Sequence, residues 1–172
     1  FAMYHVDPDH KEREFLTLDE LTAMTEIKLE DPNMAFARDL FIFGCWTGIS
    51  FIDIKNLTED NISIVNDAPW IISKRQKTGV PFQIKLMDIP MLIIERYKSF
   101  RKDNHLFNIG NLDSINKRIK KVAAMCGIKK RVSFHVSRHS WAVLALEYGM
   151  PIESVSKILG HTNITTTQIY AK

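Results

Sequence analysis

The chain has 172 residues, 45% of them hydrophobic and 25% charged, with a formal net charge of +3. That length suits one domain with a sizeable core, and the composition is that of an ordinary globular protein. No apolar run reaches the roughly 18 residues that suggest a membrane span, and the polar start at Phe1–Glu14 fits neither a signal nor a transit peptide.

The small net charge hides an asymmetry. Residues 1–73 carry 5 Lys/Arg against 14 Asp/Glu, residues 74–131 carry 15 against 4, and residues 132–172 carry 3 against 2. A middle segment this basic points to a polyanionic partner, although solvated lysines on helix faces explain the charge equally well. The two cysteines, Cys45 and Cys126, suggest a reducing compartment rather than a disulfide framework. Phe1 is not an initiator methionine, so the chain reads as a fragment of a longer protein.

Residues 1–16 read as a linker. Thr17 and Glu20 have the capping-box spacing, which predicts a helix to about Glu30. Asp31-Pro32 restarts the chain, and an apolar helix follows from Met34 to about Trp46, with Phe36, Leu40, Phe41 and Phe43 toward a core. Gly44 and Gly48 loosen its end, and a short helix spans about Phe51–Lys55. Three strand-like runs come next: Ile62–Val65, Trp70–Ser73 and Phe82–Leu86. Turns at Asn66-Asp67 and Thr78-Gly79 join them into a small antiparallel sheet. Helical signal resumes at Pro90–Phe100 and Leu112–Cys126. Ser133 is the expected cap of a helix from His135 to Tyr148, closed by Gly149. Pro151 opens another helix that Gly160 closes, and Thr162 or Asn163 caps the last segment.

The chemistry concentrates at the end of the chain. His135 and Arg138 are three apart, so they emerge on one side of a helix, beside an apolar stripe of Phe134, Trp141, Leu144, Ala145 and Tyr148. Taken singly, this pair also suits a solvated polar face, His161 a cap, and Tyr170 a packing role. His135, His139 and His161 together would suit a zinc hydrolase, but no HExxH glutamate accompanies them.

The joint pattern is narrower. The runs Phe134-His-Val-Ser-Arg-His-Ser-Trp-Ala, Ile158-Leu-Gly-His161 and Thr165-Thr-Thr-Gln-Ile-Tyr170 closely resemble the catalytic domain of the tyrosine recombinases, the phage-integrase family. The resemblance runs from about Leu16 to the end, by motif in the C-terminal part and by layout before it. It implies a mainly helical α+β fold with a three-stranded antiparallel sheet, the core of a DNA breaking-rejoining enzyme. On this reading residues 17–172 form the catalytic domain, and a separate N-terminal DNA-clamping domain is absent.

Roles follow from the same resemblance. Tyr170 matches the nucleophile that forms a 3′-phosphotyrosyl bond, Arg138 the second family arginine, and His135 the acid/base group. His161 matches the position that binds the phosphate and supports the tyrosine. Lys77, in the hairpin, matches the lysine that protonates the leaving 5′-oxygen. These types fit the chemistry: a phenol with a pKa of about 10 needs local cations or a base, and an alkoxide leaving group needs a proton donor. No metal or other cofactor is implied. The implied partners are duplex DNA, further copies of the chain up to a tetramer, and accessory DNA-bending proteins. The implied setting is cytoplasmic and nucleoid-associated, and the implied process is integration or excision of a mobile element.

One departure stands out. Where the family's first arginine follows Thr-Gly-Leu, this chain reads Thr47-Gly-Ile-Ser50. A serine cannot act as a bidentate cation. Arg75, two residues before Lys77, is the expected substitute, with Lys55 as a weaker one; a catalytically weakened DNA-binding module is the alternative, and a type IB topoisomerase shares the chemistry. The basic residues Lys117, Arg118, Lys120 and Lys121 on one helix, with Lys129, Lys130 and Arg131 before the next, are the expected phosphate contacts.

Overall fold

A computed structural model describes residues 14–171. Eight α-helices and one sheet form the described part: α1 (Leu18–Glu26), α2 (Pro32–Thr47), α3 (Phe51–Asn56), β1 (Ile62–Val65), β2 (Ala68–Lys74), β3 (Pro81–Lys85), α4 (Asp88–Arg96), α5 (Leu112–Met125), α6 (His135–Glu147), α7 (Ile152–Leu159) and α8 (Thr165–Gln168). No helix among the described residues is long and apolar enough to cross a membrane.

Helix α2 is the axis of the core. Leu40, Phe41 and Phe43 are fully buried, and α1, α4, α5 and α6 all pack around α2. Its start follows the expected signals, with Asp31 accepting from Asn33 N and Pro32 in the first turn. Its end is set by Gly48 in the left-handed region (φ +72°), where a Cβ would come within 2.5 Å of the Trp141 ring. Gly44 does not loosen the helix. It lets α6 approach, because a Cβ there would meet Ser137 Oγ at 2.5 Å.

The sheet has the order β1-β2-β3, antiparallel throughout. Ile62, Ile71 and Ile84 are paired in register, with Ile71 fully buried. Asn66 and Asp67 both have positive φ (49° and 63°), as a two-residue hairpin turn requires.

Some boundaries differ from the sequence reading. Helix α1 stops at Glu26, and the Thr17–Glu20 capping box is formed. Ser133 does not cap α6. Phe134 already has helical backbone, and its N–H donates to Asn116 Oδ1 on α5. The linker reading for residues 1–13 lies outside the described residues. Phe15 and Leu16 are packed in: Leu16 is fully buried and donates its N–H to Ser140 Oγ on α6.

Candidate active site

Helix α6 supplies the first part of the site. Arg138 is buried at 6% exposure, and its guanidinium donates to the carbonyls of Gly48 (2.9 Å) and Leu159. Those carbonyls are where α2 and α7 end, so the arginine ties two helix termini to α6. Burial pushes its pKa down to about 10, repulsion from Arg75 adds to this, and Tyr170 and Asp53 pull the other way. It therefore remains a cation at neutral pH, with Arg75 and Tyr170 within electrostatic reach.

Tyr170 lies just past α8 and is 9% exposed. Its ring is 5.5 Å from that of His139, which stands 4.4 Å from that of His135. His161 follows Gly160, the left-handed cap of α7. Its Nδ1 is 2.7 Å from Thr167 Oγ1, a fully buried hydroxyl on α8. That bond joins the end of α7 to the turn that carries the tyrosine. Beside the site, a cavity of about 270 Å³ opens between the starts of α3, α5 and α6, lined in part by Ser50, Asn116, His135 and Arg138.

The hairpin supplies a second guanidinium. The Arg75 side chain is 12% exposed, and its Nε lies 3.2 Å from Asp53 Oδ2. The alignment is too poor for a hydrogen bond, so buried Nε and one terminal nitrogen keep N–H groups with no hydrogen-bond acceptor. Burial lowers the Arg75 pKa against the pull of Asp53. The stem of Arg75 crosses Gly160, where a Cβ would come within 2.7 Å of Arg75 Cγ.

Ser50 and Arg75 meet at one carboxylate, because Ser50 Oγ donates to Asp53 Oδ2 at 2.8 Å. The hairpin arginine thus sits beside the serine that stands at the family's arginine position. Lys77 lies beyond the strand. Strand β2 ends at Lys74 and residues 76–78 turn, so the alternation breaks and Lys77 is exposed. Lys55, the weaker candidate, bonds the Gly110 carbonyl at 3.4 Å.

The expected DNA contacts divide. Lys117, Lys120, Lys121, Lys129 and Arg131 are exposed, whereas Arg118 is half-buried. At about 100° per residue, Arg118 lies on the far side of α5 from Asn116. Lys130 is engaged within the chain: its Nζ donates to Phe15 O (2.9 Å) and Glu20 Oε1 (2.6 Å). Two groups escaped the sequence reading of the site. In the sequence His139 suggests only a zinc ligand, yet its ring neighbours that of Tyr170. Asp53 carries no motif signal of its own beyond its place three residues after Ser50. Among the described residues, no three His, Cys, Asp or Glu groups converge as metal ligands would.

This fold is that of the tyrosine recombinase catalytic domain. It superposes on XerH site-specific recombinase bound to palindromic difH substrate, in a post-cleavage complex, with a TM-score of 0.78 and 18% identity, covering 94% of this chain and 50% of that one. It superposes on XerA recombinase with a TM-score of 0.76 and 23% identity, covering 96% and 60%. In sequence, it is 30% identical over 143 residues to tyrosine recombinase XerA of Pyrococcus horikoshii, covering 77% of this chain and 48% of that protein. For tyrosine recombinase XerC of Yersinia pestis the figures are 25% over 165 residues, 90% and 54%. The chain spans about half the length of these curated relatives. The sequence profile of the phage integrase family matches residues 14–172, and the chain belongs to that family.

Proposed function

We propose that the chain is the catalytic part of a site-specific DNA recombinase that cuts and rejoins strands through Tyr170. One observation carries this reading: the Arg138 guanidinium donates to the Leu159 carbonyl while the stem of Arg75 crosses the adjoining Gly160, so two cationic side chains converge near the buried Tyr170. Asp53 offsets one of these two positive charges, so the cluster keeps a net positive charge that a bound anion would offset. A phosphodiester is such an anion, and its planar-fork recognition suits arginine.

The step is a transesterification. The Tyr170 oxygen bonds to phosphorus, its proton passes to the His139–His135 pair, and the bond from phosphorus to the 5′-oxygen breaks. Lys77 protonates that oxygen. Arg138, Arg75 and His161 hold the non-bridging oxygens as they gain charge. Rejoining reverses each transfer, so no water is consumed and the phosphate bond energy is kept. Arg75 supplies the positive charge that Ser50 cannot. The neighbours whose structures hold recombination substrates, XerH on difH and lambda integrase on a core site, support DNA as the substrate. Integration or excision of a mobile element, tetramer formation on paired sites and help from DNA-bending proteins complete the reading.

A nicked duplex that loses a short 5′ fragment on cleavage tests it. Wild-type protein should accumulate a covalent DNA adduct, and Tyr170→Phe should form none. A wild-type chain that binds the duplex but forms no adduct would instead establish a silent DNA-binding module.

A further inference from the structure

We infer that the cavity between the last turn of α3 and the loop of residues 102–109 is a second phosphate seat, which holds one phosphodiester of the DNA backbone about two nucleotide steps from the scissile one. The inference rests on the recombinase reading above, and it gives that enzyme a grip on its substrate outside the reacting centre.

The cavity has a volume of about 240 Å³ and is lined in part by Lys55, Asn56, Lys102, Asp103, His105 and Asn108. Its walls are fixed from behind. Leu106 N donates to the Leu57 carbonyl at 2.9 Å, Glu59 N donates to the Asn104 carbonyl at 3.0 Å, and His105 forms an antiparallel bridge with Thr58. Arg101 ties down the start of the loop, donating to the Leu106 carbonyl at 3.0 Å and pairing with Glu59. Phe107, 2% exposed, anchors the loop through an edge contact with Phe43 of α2. A loop held in this way loses little freedom when a ligand enters.

Charge decides what enters. Two lysines line the cavity against one carboxylate. Asp103 is already engaged, accepting from His105 N at 2.8 Å and lying 2.8 Å from His105 Nδ1. Lys55 gives an N–H to the Gly110 carbonyl at a long 3.4 Å, and its ammonium has further donors to offer. Lys102 is exposed, and its ammonium has no ion pair or hydrogen bond among the described residues. Two ammonium groups on one concave site repel each other, and an anion between them relieves that. Asn108, also exposed, brings an amide that can donate to phosphate oxygens. Lys55 lies five residues beyond Ser50, about 7.5 Å along α3 at roughly 1.5 Å per residue. Phosphates of one strand follow each other roughly every 3.4 Å along the duplex axis, so the seat stands about two steps from the phosphate that Arg138 holds.

The test measures binding of duplexes in which single phosphates around the cleavage point are replaced by neutral methylphosphonates. Tyr170→Phe is the background, so that cleavage does not compete with binding. In that protein, a replacement about two steps from the cleavage point should weaken binding about ten-fold, as loss of one charge-assisted contact implies. With Lys55→Gln and Lys102→Gln added, the same replacement should cost nothing further, because its partners are already gone. Lys98→Gln, at an exposed lysine outside the cavity, should leave the effect intact. The salt slope gives a second reading: the double variant should flatten it by about 0.9, as one shared phosphate implies, and not by twice that. A scan in which no position couples to the lysine pair, or in which each lysine couples to a different phosphate, would overturn the seat. Asn108→Asp keeps the test decisive if the lysine variants disturb folding. It should weaken binding of the unmodified duplex and spare the duplex with the neutral linkage; equal weakening of both would overturn the seat. Inorganic phosphate separates the two sources of the ligand. If the scan is flat and phosphate alone slows hydrogen exchange in residues 102–109, the cavity takes a free phosphate and the DNA assignment falls. Coupling at one phosphate without a covalent adduct from the Tyr170 protein would refute the recombinase reading and leave the seat standing. An adduct with a flat scan would refute the seat alone.

Discussion

Single residues decide how the site closes. Gly160 has φ +69° and leaves space for the stem of Arg75. Gly160→Ala should cost about 1–2 kcal/mol from the left-handed backbone alone. It should also displace Arg75, so strand cleavage should fall by more than the melting temperature explains. Adduct formation and thermal melts on the same preparation check both. Arg75 can be tested by relocation. Arg75→Ala should reduce adduct formation by about 100-fold or more, as removal of a transition-state donor does. Adding Ser50→Arg to that variant should restore part of it, since Ser50 already contacts Asp53, the carboxylate that pairs with Arg75. If Arg75→Ala cuts at the wild-type rate, the compensation does not exist.

At the scale of elements, buried ion pairs fix how helices meet. Asp39 on α2 is 4% exposed and accepts from Arg38 Nε (2.7 Å), Arg96 (2.8 Å) and the Tyr97 hydroxyl (2.6 Å). Arg38 in turn donates to the carbonyls of Met24, Thr25 and Ile27 at the end of α1. Burial raises the Tyr97 phenol, and the Asp39 carboxylate raises it further. One carboxylate therefore joins α1, α2 and α4. Asp39→Ala should destabilise the fold by about 3 kcal/mol, because it leaves the buried Arg38 without its anion; denaturant titration reads this directly. The Lys130–Glu20 pair clasps α1 to the segment before α6. Burial raises the Glu20 carboxyl, but bonds from Lys130 and Thr17 outweigh it, so its pKa lies below the ordinary 4.5. A depressed carboxylate contributes stability that is present above 4.5 and lost as pH falls through the folded value. The melting difference between wild type and Lys130→Met should thus be full at pH 7 and shrink under acid. A difference independent of pH would show that the clasp works by packing.

For the whole molecule, the charge asymmetry predicts how DNA binding responds to salt. Each phosphate neutralised contributes a slope of about −0.9 in log affinity against log salt. Changing Lys117, Lys120 and Lys121 to Gln should flatten that slope by roughly 2 to 3 if each side chain meets one phosphate. Lys130→Gln should leave the slope unchanged, because that ammonium is already paired inside the chain. Fluorescence anisotropy across a salt series separates these outcomes.

Much of this was readable in order along the chain. The capping box at Thr17, the turn at Asn66-Asp67 and the apolar run of α2 are local patterns, and local patterns set local structure. The C-terminal motifs likewise drew attention to Arg138, His161 and Tyr170, which lie on α6, just past α7 and just past α8. Tertiary structure alone decided the rest. It set Asp53 between Ser50 and Gln76, brought His139 beside Tyr170, engaged Lys130 with Glu20, and left Lys77 exposed in the turn after β2. These are contacts between residues far apart in sequence, or the result of where β2 ends, at Lys74, with residues 76–78 turning directly after it. Periodicity can assign a side chain to a face, but only the packed fold determines which charge it meets there.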